Sequence, residues 1–132
     1  MKTQLIIASL IGSLAGTASA QSANQIQQEQ HKVEADKQRI QMENKDLGTE
    51  RWDLNHKLDE LKADKLKQQD FVHKGDTKSA NAMEKTIQQL QYDIEKDRQQ
   101  INKNKQEVTT EKQDVGTERW KIDQQRKQEQ KK

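Results

Sequence analysis

The 132-residue chain contains no cysteine and no proline, and its aromatic residues are two tryptophans, one tyrosine and one phenylalanine. Without cysteine, the fold cannot depend on disulfide bonds. Hydrophobic residues make up 29% of the sequence and charged residues 35%, which fits either disorder or a long helix with a narrow apolar stripe. The absence of proline favours the helix, because disordered segments are usually rich in proline.

The chain also lacks a large excess of either charge, since its formal net charge is +2 and would be +1 without Lys2. Basic and acidic residues are interleaved throughout the chain beyond residue 28. This balance argues against binding to nucleic acid or to an anionic membrane surface through bulk charge. We therefore expect no nucleic-acid partner.

Residues 1–20 have the pattern of a signal peptide. Lys2 precedes a mostly apolar segment at 5–14, and Ala18-Ser19-Ala20 fits the small-residue pattern of a cleavage site. The alternative is an uncleaved N-terminal anchor, but the apolar segment is shorter than the ~20 residues of a spanning helix. We expect a periplasmic or secreted protein that begins at Gln21 and has no membrane span after cleavage.

Beyond residue 21, apolar residues recur at every seventh position in two series. A strict seven-residue apolar repeat is typical of a left-handed coiled coil. The first series is Ile26, Val33, Ile40, Leu47, Leu54 and Leu61, and the second is Ile87, Ile94, Ile101, Val108, Val115 and Ile122.

The segment between the two series carries turn signals. Gly75 can end one helix in a left-handed conformation, and Asp76, Thr77 or Ser79 can cap the next. Within a domain at 21–132, we predict a helix over about 22–72, a turn over about 73–78 and a helix over about 79–130.

When the chain folds back at this turn, the two apolar series pair in a register in which the two residue numbers add to 148. Each seven-residue repeat of a coiled coil has two positions that face the other helix, and the apolar residues occupy one of them. We assign the second interface position to the residue four after each apolar residue in the first helix, and three after each in the second. The expected polar pairs are Lys37 with Glu111, Asn44 with Asn104, and Arg51 with Asp97.

A parallel dimer would instead place each of these charges against its own copy, so the pattern favours the antiparallel arrangement. The predicted fold is all-α, with two long helices in an antiparallel coiled-coil hairpin. Half of the interface is polar, so we also consider association into a larger bundle.

One heptapeptide occurs twice, as DLGTERW at 46–52 and DVGTERW at 114–120, and the two copies hold both tryptophans. The seven-residue repeat continues through each copy, which predicts helix. The alternative is a break, with Thr49 or Thr117 capping a new helix. Each tryptophan lies five residues after an interface residue, about 140° round the helix, so neither indole should enter the interface.

The repeat is therefore either a remnant of duplication or a pair of docking points. Tryptophan and arginine are the residue types that dominate interface energy, and each glycine would leave an open space one turn from an indole. The candidate protein-interaction residues are Gly48, Arg51, Trp52, Gly116, Arg119 and Trp120.

The sequence offers no candidate for catalysis or for cofactor binding. His31, His56 and His73 are isolated, and no phosphate-binding loop or nucleophile motif is present. A two-helix rod has no concave, water-excluding cleft in which to perform chemistry. We expect no enzyme, no cofactor, no metal site and no small-molecule substrate.

We therefore expect an exported helical rod that acts through protein contact, as a structural, spacer or adaptor protein, and that binds a partner protein or itself. A periplasmic holdase-type chaperone is the main alternative. A weak metal-binding protein, using scattered histidines and carboxylates, is the third.

The N-terminal pattern makes one direct prediction. Mass spectrometry of the protein recovered from the cell envelope or the medium should give a chain that starts at Gln21. A chain that retains Met1 and sediments with the membrane would contradict both the cleavage and the predicted compartment.

Overall fold

The structure is a computed structural model that describes the backbone of residues 2–132 and the side chains of residues 22–132. Helix α1 spans Lys2–His73 and helix α2 spans Thr77–Gln130. The predicted all-α helical hairpin is confirmed. Neither helix, in the part of the chain that is described, has an apolar stretch long enough to cross a membrane.

The helix bounds differ from the predicted ones. Helix α1 does not begin near residue 22 but continues through it, and the turn is shorter than 73–78 because α2 already begins at Thr77. The predicted signal peptide at 1–20 and its cleavage site lie outside the residues whose side chains the structure describes.

The turn is built by Gly75, whose φ of +73° is the left-handed conformation that glycine adopts without steric cost. The N–H of Gly75 donates to the carbonyl of Val72 at 3.1 Å, and the N–H of Asp76 donates to that of Phe71 at 2.9 Å. These two bonds form a Schellman motif, which satisfies carbonyls that the end of α1 would leave without partners.

Asp76 then caps α2, because its Oδ1 accepts a hydrogen bond from the N–H of Ser79 at 3.1 Å. Of the three capping residues that the sequence allowed, the structure uses this one. Hydrogen bonds from Ser79, first from its hydroxyl and then from its backbone N–H, lower the pKa of Asp76.

The chain divides into two units by its contacts, and each has its own core. The terminal unit comprises residues 1–39 and 111–132, and the turn unit comprises residues 40–110. The buried apolar residues of the terminal unit are Ile26, Val33, Val115 and Ile122. Those of the turn unit are Ile40, Leu47, Ala80, Ile87, Ile94, Ile101 and Val108, with Leu54 and Leu61 half-buried.

The second interface position of α1 is not where the sequence analysis placed it. It follows each apolar residue by three positions, as in α2, and is half-buried or buried at Glu29, Asp36, Glu43, Glu50, Lys57 and Asp64. Asn44 and Arg51, which were expected in the interface, are exposed, whereas Lys37 is half-buried. Both helices thus carry aliphatic side chains at one interface position. The other position is mostly acidic in α1 and is acidic at half of its places in α2.

The bonds between the helices show the corrected register. In the terminal unit, Ser22 bonds Glu129, Lys32 bonds Glu118 and Arg39 bonds Glu111, with residue numbers that add to 150 or 151. In the turn unit, Glu50 bonds Asn104, Lys57 bonds Asp97 and Gln68 bonds Glu84, with numbers that add to 152–154.

The predicted sum of 148 and the three polar pairs built on it are therefore wrong. Lys37 pairs with Glu34 of its own helix at 3.2 Å, and Asp97 receives Lys57 in place of Arg51. Lys32 and Arg39, which bond inward carboxylates of α2, each directly precede an apolar interface residue and so lie at the flank of the interface.

The Asp76 cap predicts a pH-dependent stability. Asp76→Ala should lower the melting temperature by a few degrees at pH 7, because a helix donor loses its acceptor. The folded-state pKa lies below the ordinary one, so this stabilisation is complete above the ordinary pKa and is lost as the pH falls through the folded value. Asp76→Asn is the matched control.

Circular dichroism melts at pH 7 and pH 2 measure the effect. The difference between the parent and Asp76→Ala should shrink at pH 2, while Asp76→Asn keeps its advantage over alanine at both values. An equal difference between parent and alanine variant at the two pH values would contradict the charged cap.

The corrected register predicts that Lys57 and Asp97, whose Nζ and Oδ2 atoms are 2.5 Å apart, are energetically coupled. A double-mutant cycle with Lys57→Ala and Asp97→Ala should give a coupling of about 0.5–1 kcal/mol, typical of a partly exposed pair. Urea unfolding measures each free energy. The matched control is Arg51→Ala with Asp97→Ala, which should be additive within about 0.3–0.5 kcal/mol. If Arg51 and Asp97 proved to be coupled while Lys57 and Asp97 were additive, the register in which the residue numbers add to 148 would be supported instead.

Candidate protein-interaction surface

Both copies of the heptapeptide are helical along their whole length. The hydroxyl of Thr49 donates to the carbonyl of Lys45 at 3.4 Å, and that of Thr117 donates to the carbonyl of Gln113 at 3.1 Å. These are bonds to the preceding turn of a continuing helix, whereas a capping threonine accepts from the N–H groups that follow it. The alternative of a helix break at either copy is therefore wrong.

The two copies expose the same residues. The apolar residue after the aspartate faces inward in each, with Leu47 6% and Val115 8% exposed. The tryptophan that follows five positions later faces outward, with Trp52 62% and Trp120 63% exposed. The prediction that neither indole enters the interface is confirmed.

The glutamate of each copy is anchored across the hairpin. Oε1 of Glu50 accepts from Nδ2 of Asn104 at 2.7 Å, and Oε1 of Glu118 accepts from Nζ of Lys32 at 2.6 Å. The second oxygen of each carboxylate is buried without a hydrogen bond among the described residues. The bond to Glu118 raises the pKa of Lys32. The sequence analysis missed these two glutamates, which orient the repeated segments on the fold.

The glycines of the two copies are not required by packing within the chain. A Cβ atom added at Gly48 or Gly116 would meet no heavy atom within 4 Å. Glycine in a helix costs roughly 1 kcal/mol relative to alanine, so each copy retains an unfavourable residue for which its own fold shows no steric reason. The result is an open surface one turn before each indole.

The surroundings of the two indoles differ. The ring of Trp52 lies edge-on to that of His56, four residues later, with centroids 4.0 Å apart and planes at 72°. Trp120 has Gln124 at the equivalent position and makes no ring contact with any described residue. Arg51 and Arg119 are exposed, and neither forms an ion pair with another side chain that the structure describes.

No three histidine, aspartate or glutamate side chains within residues 22–132 are arranged to hold a metal ion. The clefts along the described surface are open grooves between the two helices rather than enclosed pockets. Comparisons with protein-family models, with curated proteins and with solved structures found no match for the chain.

Proposed function

We propose that the protein is exported and acts by protein contact, as a structural or adaptor protein whose two DxGTERW segments are docking points. One observation carries this proposal: both tryptophans, one in each copy of the repeat, are more than 60% exposed, as are Met42, Leu66, Val72 and Tyr92 outside the repeat. The export part of the proposal is supported by the N-terminal sequence pattern.

The composition of each segment supports a docking role. Tryptophan and arginine are enriched among the residues that contribute most to binding, and Trp52 and Trp120 each follow an arginine directly. An exposed indole adds nothing to the hairpin interface, where aliphatic side chains supply the burial. A partner that covers the exposed part of the indole would remove this apolar area from water.

The glycine completes the docking point. Gly48 lies four residues before Trp52, about 6 Å along the helix axis, and the same spacing separates Gly116 from Trp120. A side chain from a partner can approach the backbone at the glycine while the indole covers its flank. The exposed indole and the open backbone surface at the glycine together suit a flat helical partner, including a second copy of the chain.

The test compares the parent Gln21–Lys132 with Trp52→Ala/Trp120→Ala in sedimentation velocity over a range of concentrations. Loss of an interface tryptophan typically costs about 2 kcal/mol or more, so association should weaken by roughly 30-fold or more. Helix content by circular dichroism should not change, because neither indole packs in the hairpin.

Glycine variants provide matched controls. Gly48→Ala/Gly116→Ala adds two methyl groups in open space and should raise the melting temperature while association persists. Gly48→Leu/Gly116→Leu covers the open backbone surface at each glycine and should weaken association without unfolding the chain. If the tryptophan and leucine variants both associate like the parent, the docking role is wrong. A monomeric parent that prevents aggregation of a reduced test protein would instead support the chaperone alternative.

A further inference from the structure

A row of unpaired cations lies on α2 in the terminal unit. Lys112, Arg119 and Arg126 are seven residues apart, so they share one face of the helix at intervals of about 10 Å. All three are exposed, and none forms an ion pair with any side chain of residues 22–132. We call these three residues the basic row.

The basic row borders a groove between the helices of the terminal unit. Arg119 and Arg126 line this groove, which has a volume of about 250 Å³, together with Lys37 of α1. Glu34 and Asp123 also line it, but Glu34 is paired with Lys37 at 3.2 Å. Two guanidinium groups thus face one remaining carboxylate, and the groove has an excess of positive charge.

The turn unit carries the opposite arrangement on α1. Asp46, Asp53 and Glu60 are also seven residues apart and exposed, and no ion pair involves them among the described side chains. We call these three residues the acidic row. Two grooves that share Glu50 run beside it, and the one cation lining them, Lys57, is already paired with Asp97.

Rows of like charge repel within a single chain, and in helical assemblies the charges that flank an interface select the partner. The two rows have the same spacing and opposite sign. The acidic row of a second copy can therefore pair with the basic row at the seven-residue interval that neighbouring helices share.

We propose that the partner of this surface is a second copy of the chain, with the basic row of one copy docked on the acidic row of another. This proposal rests on the proposed function, in which the protein acts by protein contact, and it adds the identity of the partner. It does not use the two tryptophans or the two glycines, and the residues common to both surfaces are Arg119 and Asp46, the first residue of DLGTERW.

Two charge-reversed chains test the inference. The first carries Lys112→Glu, Arg119→Glu and Arg126→Glu, and the second carries Asp46→Lys, Asp53→Lys and Glu60→Lys. Each alone presents rows of one sign and should self-associate at least tenfold more weakly than the parent in low salt. An equimolar mixture opposes acidic rows to basic ones and should associate like the parent. Sedimentation velocity measures association in the parent, in each reversed chain and in the mixture. Added salt should weaken association of the parent and of the mixture.

The controls separate charge docking from misfolding. Circular dichroism melts should show both reversed chains folded, and if either unfolds, the neutral variants Arg119→Gln/Arg126→Gln and Asp46→Asn/Asp53→Asn replace them, with the same expected weakening. Reversed chains that associate like the parent would overturn the inference, as would a mixture that stays monomeric. A parent that is monomeric at all concentrations but binds heparin through the basic row would overturn it in favour of a polyanion.

The tryptophan variant distinguishes this inference from the proposed function. Self-association that survives Trp52→Ala/Trp120→Ala but fails on charge reversal supports the charged rows and removes the indoles from this contact. Self-association that fails in the tryptophan variant but survives charge reversal overturns the charged rows and leaves the docking points intact.

Discussion

The structure depends on an interface in which each helix contributes one aliphatic row and one polar row. In an antiparallel pair the two kinds of position lie beside each other, so an aliphatic side chain such as Ile40 or Val108 meets a polar neighbour. Burial of the aliphatic row drives the pairing, since apolar area removed from water is the main favourable contribution. The inward carboxylates add little to this burial and depend on hydrogen bonds from the other helix.

This constraint explains the distribution of charge around the hairpin. Lys32 and Arg39 bond inward carboxylates of α2 from the flanks of the interface, and Lys57 does so from the second interface position itself. The cations of the basic row have no such partner among the described residues. The same polar interface that aligns the two helices thus leaves part of the surface charge unbalanced, as in assemblies whose flanking charges select partners.

The repeated heptapeptide fits the same alternation of buried and exposed positions. Its apolar residue and its glutamate face the other helix, while its tryptophan is free of the interface in both copies. The exposed position of the indoles was predictable, because the angle between residues along a helix depends only on helix geometry. The role of Glu50 and Glu118 was not predictable, because a glutamate three residues after an apolar residue resembles any surface glutamate in so charged a sequence.

The sequence by itself determined the two helices, the turn at Gly75 and the aliphatic row, because these depend on local conformation and on a repeat that only the apolar residues carry. Only the tertiary structure decided the register and the second interface position of α1. Polar residues occur both three and four positions after nearly every apolar one, so the sequence pattern does not distinguish the two positions. Which of them turns inward depends on the hydrogen bonds it makes to the other helix, as Lys57 does with Asp97, and such bonds exist only once the two helices have packed.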